Sequence, residues 1–453
     1  MTQIEIDNLG IPPLAGICSY EEACLAGYSV EDTVDLLKRY NFVLSRLNQI
    51  GAAHLPATPE WEVKSALSLH MWMDAEHSAW LRKRITEMRE PPLHLDASPD
   101  DALEAWLAEA IRASNTTELL TGLYQVIRPA LAQAMDDYLA GANPLADHPT
   151  RRVLRFILLE QEDMIAWGGQ ALTALQNSES NRNDALEWQA HLDLYLAQAG
   201  GIGGAQPRPG DLGSAVPRSD GQPFEMDPMP QRDDRITNSY DQSFSGEISG
   251  GLGEDMPVEQ RALVLLHRRL QEMDVPEWMA AIIYKTDGKA WAYYQDMSRQ
   301  LWDEARHAMM GEVGLYSYGV PFYKYPIGLE GSVSLNLEFE PLDSHIILWD
   351  VEQGLMKRET GKRFEMEMAQ SAADPLVTLF QDFDWADEVL HAQIGRKWLL
   401  PEVGSAAELR RRGKELRAQW FASMNRLKDT APPVDWWPDF MAEVGGRPKH
   451  PVD

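Results

Sequence analysis

Apolar residues along the chain recur mostly every three or four positions, the period of a helix with one buried face. Between residues 31 and 54, Val34, Leu37, Tyr40, Leu44 and Leu47 share one side of such a helix. The same spacing predicts helices over 61–89, 117–139, 149–175 and 183–199. Pro149 falls in a first turn, where its missing N–H costs nothing. From 200 to 257 the period disappears, and Gly, Pro, Asp and Ser dominate. That stretch is expected to be an exposed linker or a long loop pinned on a surface.

Helical spacing resumes at 258 and continues to 285, with Pro276 expected to kink or restart the helix. Asp287-Gly288 marks a turn, and 291–316 is the next helix. The content of 319–342 argues against a helix and predicts short strands around 333–339. Helix returns over 344–372. Asp374 as cap and Pro375 as first residue open another helix, to 400. A last helix covers 405–427, before an irregular tail (APPVDWWPDF). This order, two helices, a long connection and two more, describes a four-helix bundle with one long crossover. The first half repeats it, with 90–100 as the irregular connection. The expected fold class is all-α, with domains at 1–199 and 258–453 separated by 200–257.

Two segments carry candidate chemistry. WDEARHAMMGE contains Glu304 and His307, and WADEVLHAQIGRKWL contains Glu388 and His391. Each is Glu-x-x-His on a predicted helix, and residues three apart share a face. Two such helices in one bundle, each joined by a Glu from a neighbouring helix, make a dinuclear carboxylate site. The preferred partners are Glu277 for Glu304, with Glu272 as alternative, and Glu352 for Glu388, with Glu359 as alternative. Glu277 heads an apolar helical stretch, where an unpaired Glu is costly and a metal would explain it. The expected ligands are therefore Glu277, Glu304, His307, Glu352, Glu388 and His391. They would hold two divalent ions, iron or manganese.

The second half resembles the ferritin-like superfamily. It looks most like a bacterial branch whose last bundle helix reads Asp-Glu-x-x-His-x-x-x-Gly-x-x-Trp, matched here by Asp387, Glu388, His391, Gly395 and Trp398. PEWMAA at Glu277, DEARH at Glu304 and VEQGL at Glu352 extend the resemblance, which covers about 258–400. It implies a di-metal site and no particular reaction, since members store iron, reduce peroxide or activate oxygen. The first half looks like a degenerate copy. LHMWMDAEHSAW laid on RQLWDEARHAMM sets Asp74 over Glu304 and His77 over His307. A second overlay sets Gln161 over Glu388, Met164 over His391 and Gly168 over Gly395. A residual mononuclear site there would use Asp74, His77 and Glu160.

Charge narrows the functions. Of 453 residues 70 are acidic and 41 basic, a formal net charge of −29. Nucleic acid and anionic membrane surfaces are disfavoured partners for such a chain. No apolar run approaches the roughly 18 residues of a spanning helix. The N-terminus does not read as a signal peptide, and Cys18 and Cys24 make no disulfide framework. A cytoplasmic protein with free thiols is expected. Trp278, Trp291, Tyr293, Tyr294 and Trp302 are expected to pack a core, with a radical relay as the other use. The expected function is a di-iron or manganese/iron oxidoreductase using dioxygen or peroxide to oxidise a small-molecule substrate. Two fused bundles suit a storage shell poorly, which leaves a monomer or homodimer. The alternative is a non-catalytic metal-binding protein or helical interaction scaffold.

Overall fold

A computed structural model describes residues 8–89, 94–176, 179–210, 216–240, 257–430 and 436–444. Parts of the expected connections, 90–93, 211–215 and 241–256, and of the tail, 431–435, lie outside the described residues. The described residues are mostly helical, and among them strand is confined to one parallel pair, Asn238–Ser239 with Ile327–Gly328. No described helix is long and apolar enough to cross a membrane. The chain divides into two compact units: 1–50 with 73–224, and 51–72 with 225–453.

Helices of the first unit include α1 (Val30–His54), α2 (Trp61–Thr86), α3 (Arg128–Gly141) and α4 (His148–Leu175); α1 and α2 also pass through the division into 51–72. Leu37, Val43 and Leu44 of α1 are buried, as are Leu131, Leu154 and Ile157 of α3 and α4. Tyr40 Oη donates to Ala134 O at 2.8 Å, and Ser78 Oγ donates to Asn41 Oδ1 at 2.8 Å. The helix expected over 117–139 is continuous but passes through a π-helical stretch, Thr121–Ile127, directly before α3. Asp101–Ala110 is a further helix, absent from the sequence reading. Asp100 caps it, accepting from Ala102 N at 2.9 Å and Leu103 N at 3.1 Å. Residues after 215 are pinned here: Arg218 Nη1 donates to Glu118 Oε2, and Ser219 N to Glu109 Oε1, both at 2.7 Å.

In the second unit the rods are α5 (Val258–Gln271) with α6 (Asp274–Lys285), α7 (Trp291–Ser317), α8 (Pro341–Leu355) with α9 (Lys362–Ser371), and α10 (Pro375–Val403). α5 and α6 pack on α7, α8 and α9 pack on α10, and α7 packs on α10. The first and third rods are thus broken. The first restarts at Asp274, leaving Pro276 in a first turn. The third breaks where one helix over 344–372 is expected. A Cβ on Gly361 would overlap Leu355 O, so a close turn passes through this glycine. Asp374 caps α10 as expected, accepting from Leu376 N at 2.9 Å. α11 (Ala406–Lys428) lies against α8. The irregular tail in fact contains a helix, Trp437–Val444.

The crossover corrects the strands expected at 333–339, because Glu330–Glu338 is a helix. Tertiary contacts decide the outcome there. Asp274 Oδ1 accepts from Ser332 N at 3.0 Å, and Asn336 Nδ2 donates to Glu277 O at 3.1 Å. Residues 225–240 are also pinned, with Gln231 N and Asp233 N donating to Pro56 O and Pro59 O, both at 2.9 Å. The described part of 216–240 therefore follows the pinned-loop alternative. Among the aromatics, Trp278 and Tyr293 are buried, while Trp291, Tyr294 and Trp302 are half-buried.

His267 of α5 is buried against the rings of Trp436, Trp437 and Phe440. Burial lowers its pKa to about 3. An unfolded chain takes up this proton near pH 6.5 and the folded one only near 3, so stability falls as pH drops through that window. Urea midpoints at pH 7.5 and pH 5 should therefore differ less in His267→Phe than in the wild type.

Candidate metal centre

Glu304 and His307 lie on α7, and Glu388 and His391 on α10, so each pair faces one way. Where α7 meets α10 the two faces meet. Glu352 of α8 completes one group with Glu304, Glu388 and His391. Glu272, which follows α5, and Asp384, one turn before Glu388, complete a second with His307 and Glu388. Within each group one donor atom per residue lies within 4.8 Å of the others, and Glu388 belongs to both. His391 Nδ1 is 3.1 Å from Glu304 Oε1 and 3.3 Å from Glu388 Oε2. His307 Nδ1 is 3.3 Å from Glu272 Oε2 and 3.4 Å from Asp384 Oδ1.

The remaining ring nitrogens face carboxylates from the opposite motif. His307 Nε2 lies 3.2 Å from Asp387 Oδ2, and His391 Nε2 lies 3.4 Å from Asp303 Oδ2. An Asp precedes the Glu in both motifs, so each helix orients the other's imidazole. Arg306 Nη2 ties the two aspartates together, at 2.7 Å from Asp303 and 2.6 Å from Asp387.

Two buried cations also enter the cluster. Lys362, the first residue of α9, places Nζ 2.8 Å from Asp384 Oδ1, 2.8 Å from Glu388 Oε1 and 3.4 Å from Glu272 Oε1. Arg269 pairs with Asp384 and, at 2.9 Å, with Glu272. Burial disfavours every charge in this region, and neighbours decide the outcome. Burial and then Glu388 and Glu304 push the Glu352 carboxyl well above its ordinary range. Burial also acts to raise Glu388, but Lys362 and contacts from Glu352 and His391 hold it well below. Burial opposes protonation of His391, yet Asp303, Glu304 and Glu388 more than offset it and raise its pKa well above the usual value.

Five of the six expected ligands come together: Glu304, His307, Glu352, Glu388 and His391. Glu277 does not, and this expectation is corrected. It is fully buried on α6, where Lys64 pairs with it and Arg232 donates Nη2 to Oε2 at 2.7 Å. Those two cations hold its carboxyl below the usual range against burial. A buried Glu did need a partner, and the partner is basic side chains. Glu272, the alternative, takes the place in the cluster, while Glu359, the alternative to Glu352, is exposed. Asp384 was missed although it shares a face with Glu388 and His391 at four- and seven-residue spacing. Nothing in the local pattern singles out Lys362.

Glu272 Oε2, His307 Nδ1, Glu352 Oε2, Glu388 Oε2 and His391 Nδ1 are buried without a hydrogen-bond partner. Such atoms are costly when left unpaired. Carboxylate oxygen with imidazole nitrogen is a donor set suited to iron or manganese, so Glu304, Glu352, Glu388 and His391 could hold a divalent ion. A cavity of about 340 Å³ adjoins them, lined by Glu304, Glu352 and Lys362 and by apolar surface from Leu348, Trp278 and Trp420. The chain matches no protein-family model, no curated protein and no solved structure.

The first-unit residues that the sequence overlay sets over the two motifs make contacts of their own. Arg128 holds both oxygens of Asp74, at 2.8 and 2.7 Å, and Nη1 reaches Gln161 Oε1 at 3.1 Å. His77 Nε2 lies 2.5 Å from Glu160 Oε2. The residual site expected from Asp74, His77 and Glu160 is therefore corrected, since a guanidinium already occupies Asp74.

Helix spacing at the second-unit cluster depends on Gly395. A Cβ there would lie 2.6 Å from Trp349 Cδ1, one turn from Glu352. Gly168 meets Tyr124 in the same way. Gly395→Val should lower stability by about 1–3 kcal/mol through overpacking, read from the urea midpoint.

Proposed function

We propose that the chain is a metal-dependent oxidoreductase of ferritin-like architecture, with two tandem bundles of which the second holds the metal centre. The observation that carries this reading is the set of buried, unpartnered carboxylate and imidazole atoms beside a cavity of ligand size. Bound iron or manganese would supply the one-electron chemistry with dioxygen or peroxide that carbon-based side chains lack. The protein's own residues do the rest. Asp303 and Asp387 fix the two imidazoles, with Nδ1 of each turned inward. Trp278, Trp420 and Leu348 give the cavity apolar surface on which a small organic substrate can lie and from which water is excluded. In the first unit Arg128 already neutralises Asp74, and that bundle is read as a structural copy.

Purified protein should retain iron or manganese through desalting, and Glu304→Ala/His307→Ala should not. The ferrous-loaded wild type should consume oxygen or peroxide faster than the double variant. A folded wild type that takes up no metal after anaerobic ferrous loading would leave the scaffold alternative. Glu277→Gln should keep the wild-type metal content while lowering the urea midpoint, because it weakens a buried ion-pair network and leaves the donor group intact.

A further inference from the structure

We infer that the second-unit cluster is built for one divalent ion and one ammonium. The ion takes Glu304, Glu352, Glu388 and His391, and Lys362 stands in the neighbouring position beside Glu272, His307 and Asp384. This rests on the metal-centre reading above and specifies its occupancy.

The geometry of Lys362 is the first argument. An ammonium has three N–H donors, and Nζ has three carboxylates around it, Asp384 and Glu388 at 2.8 Å and Glu272 at 3.4 Å. The side chain is fully buried, so its charge is answered by these carboxylates rather than by bulk water. Charge balance is the second. Glu272 and Asp384 are answered by Arg269 and Lys362. A dication among them would have to expel a buried lysine or overcharge the pocket. At the other end no lysine or arginine among the described residues pairs with Glu304 or Glu352; Gln300 Nε2 donates to Glu352 Oε1 at 3.0 Å, while Glu352 Oε2 and His391 Nδ1 make no hydrogen bond.

Glu388 joins the two halves and divides its oxygens between them. Oε1 binds Lys362, whereas Oε2 is buried and unpartnered, 3.3 Å from His391 Nδ1. One carboxylate thus offers a single oxygen to an ion and spends the other on the ammonium. In the first unit a buried basic side chain likewise answers a buried acid, with Arg128 lodged between Asp74 and Gln161.

The test is manganese stoichiometry on the full-length protein, by elemental analysis after desalting, with electron paramagnetic resonance of the bound ion. The wild type should bind about one equivalent, with the six-line spectrum of an isolated ion, as a single carboxylate–histidine site requires. Lys362→Met should bind about two, with spin exchange between them, once the ammonium no longer competes. Lys362→Arg, which keeps the charge, should stay at one. Where Lys362→Met does not fold, two milder variants decide: Glu352→Gln should weaken manganese binding at least tenfold, and Glu272→Gln should leave it within about threefold. About two exchange-coupled ions in the wild type would overturn the inference and leave the proposed function standing. Loss of the ion in Glu272→Gln but not in Glu352→Gln, or a folded Lys362→Met that stays at one, would also overturn it. A folded wild type that binds no manganese or iron would overturn both readings.

Discussion

The interior of this protein is organised by carboxylates that have been taken out of water and must be answered there. An ionised carboxylate buried alone costs many kcal/mol, so each needs an opposite charge, a set of donors or a proton. The chain answers Glu277 with Lys64 and Arg232, and Asp74 with Arg128. Asp384 receives Lys362 and Arg269. Glu304, Glu352 and their share of Glu388 are the exception, because only imidazoles and the Gln300 amide face them, with no lysine or arginine paired to Glu304 or Glu352 among the described residues. Function is proposed at the place where the side chains leave that account open.

The helical framework serves this arrangement. Both motifs lie in uninterrupted helices, which hold Glu and His on one face. Their partners come from the two broken rods. The break after α5 puts Glu272 at that helix's end, and the close turn through Gly361 carries Lys362 inward at the start of α9. A helix start is an unfavourable place for a cation, and the three surrounding carboxylates outweigh that disadvantage. Gly395 lets Trp349 approach α10, which draws Glu352 toward Glu388.

The helices and most of their starts were legible in the sequence, because amphipathic spacing and caps such as Asp374 are local signals. So were the two Glu-x-x-His faces, which depend only on helical geometry. What escaped depended on residues distant in sequence. Glu277 was read correctly as a buried acid, but the identity of its partner is a tertiary fact, and Lys64 and Arg232 carry no local mark. Lys362 sits in a run of charges, KRETGKRFEME, that reads as a solvated face. The helix at Glu330–Glu338 was hidden because its stability comes from Asp274 and from burial rather than from its own composition.

The pairing of Lys64 with Glu277 spans 213 positions, and Arg232 reaches the same carboxylate across 45. The second unit consequently draws on a segment, 51–72, made long before the rest of it. During synthesis that lysine waits for its partner while the whole of 73–224 emerges. Contacts of this range slow folding because the loop must close before it is rewarded. A fragment beginning at 258 would bury Glu277 with neither cation present and would lack Trp61 and Ile236 from its core, so it should be less stable than the same residues within the whole chain. Its interior is completed by side chains from a segment far earlier in the chain.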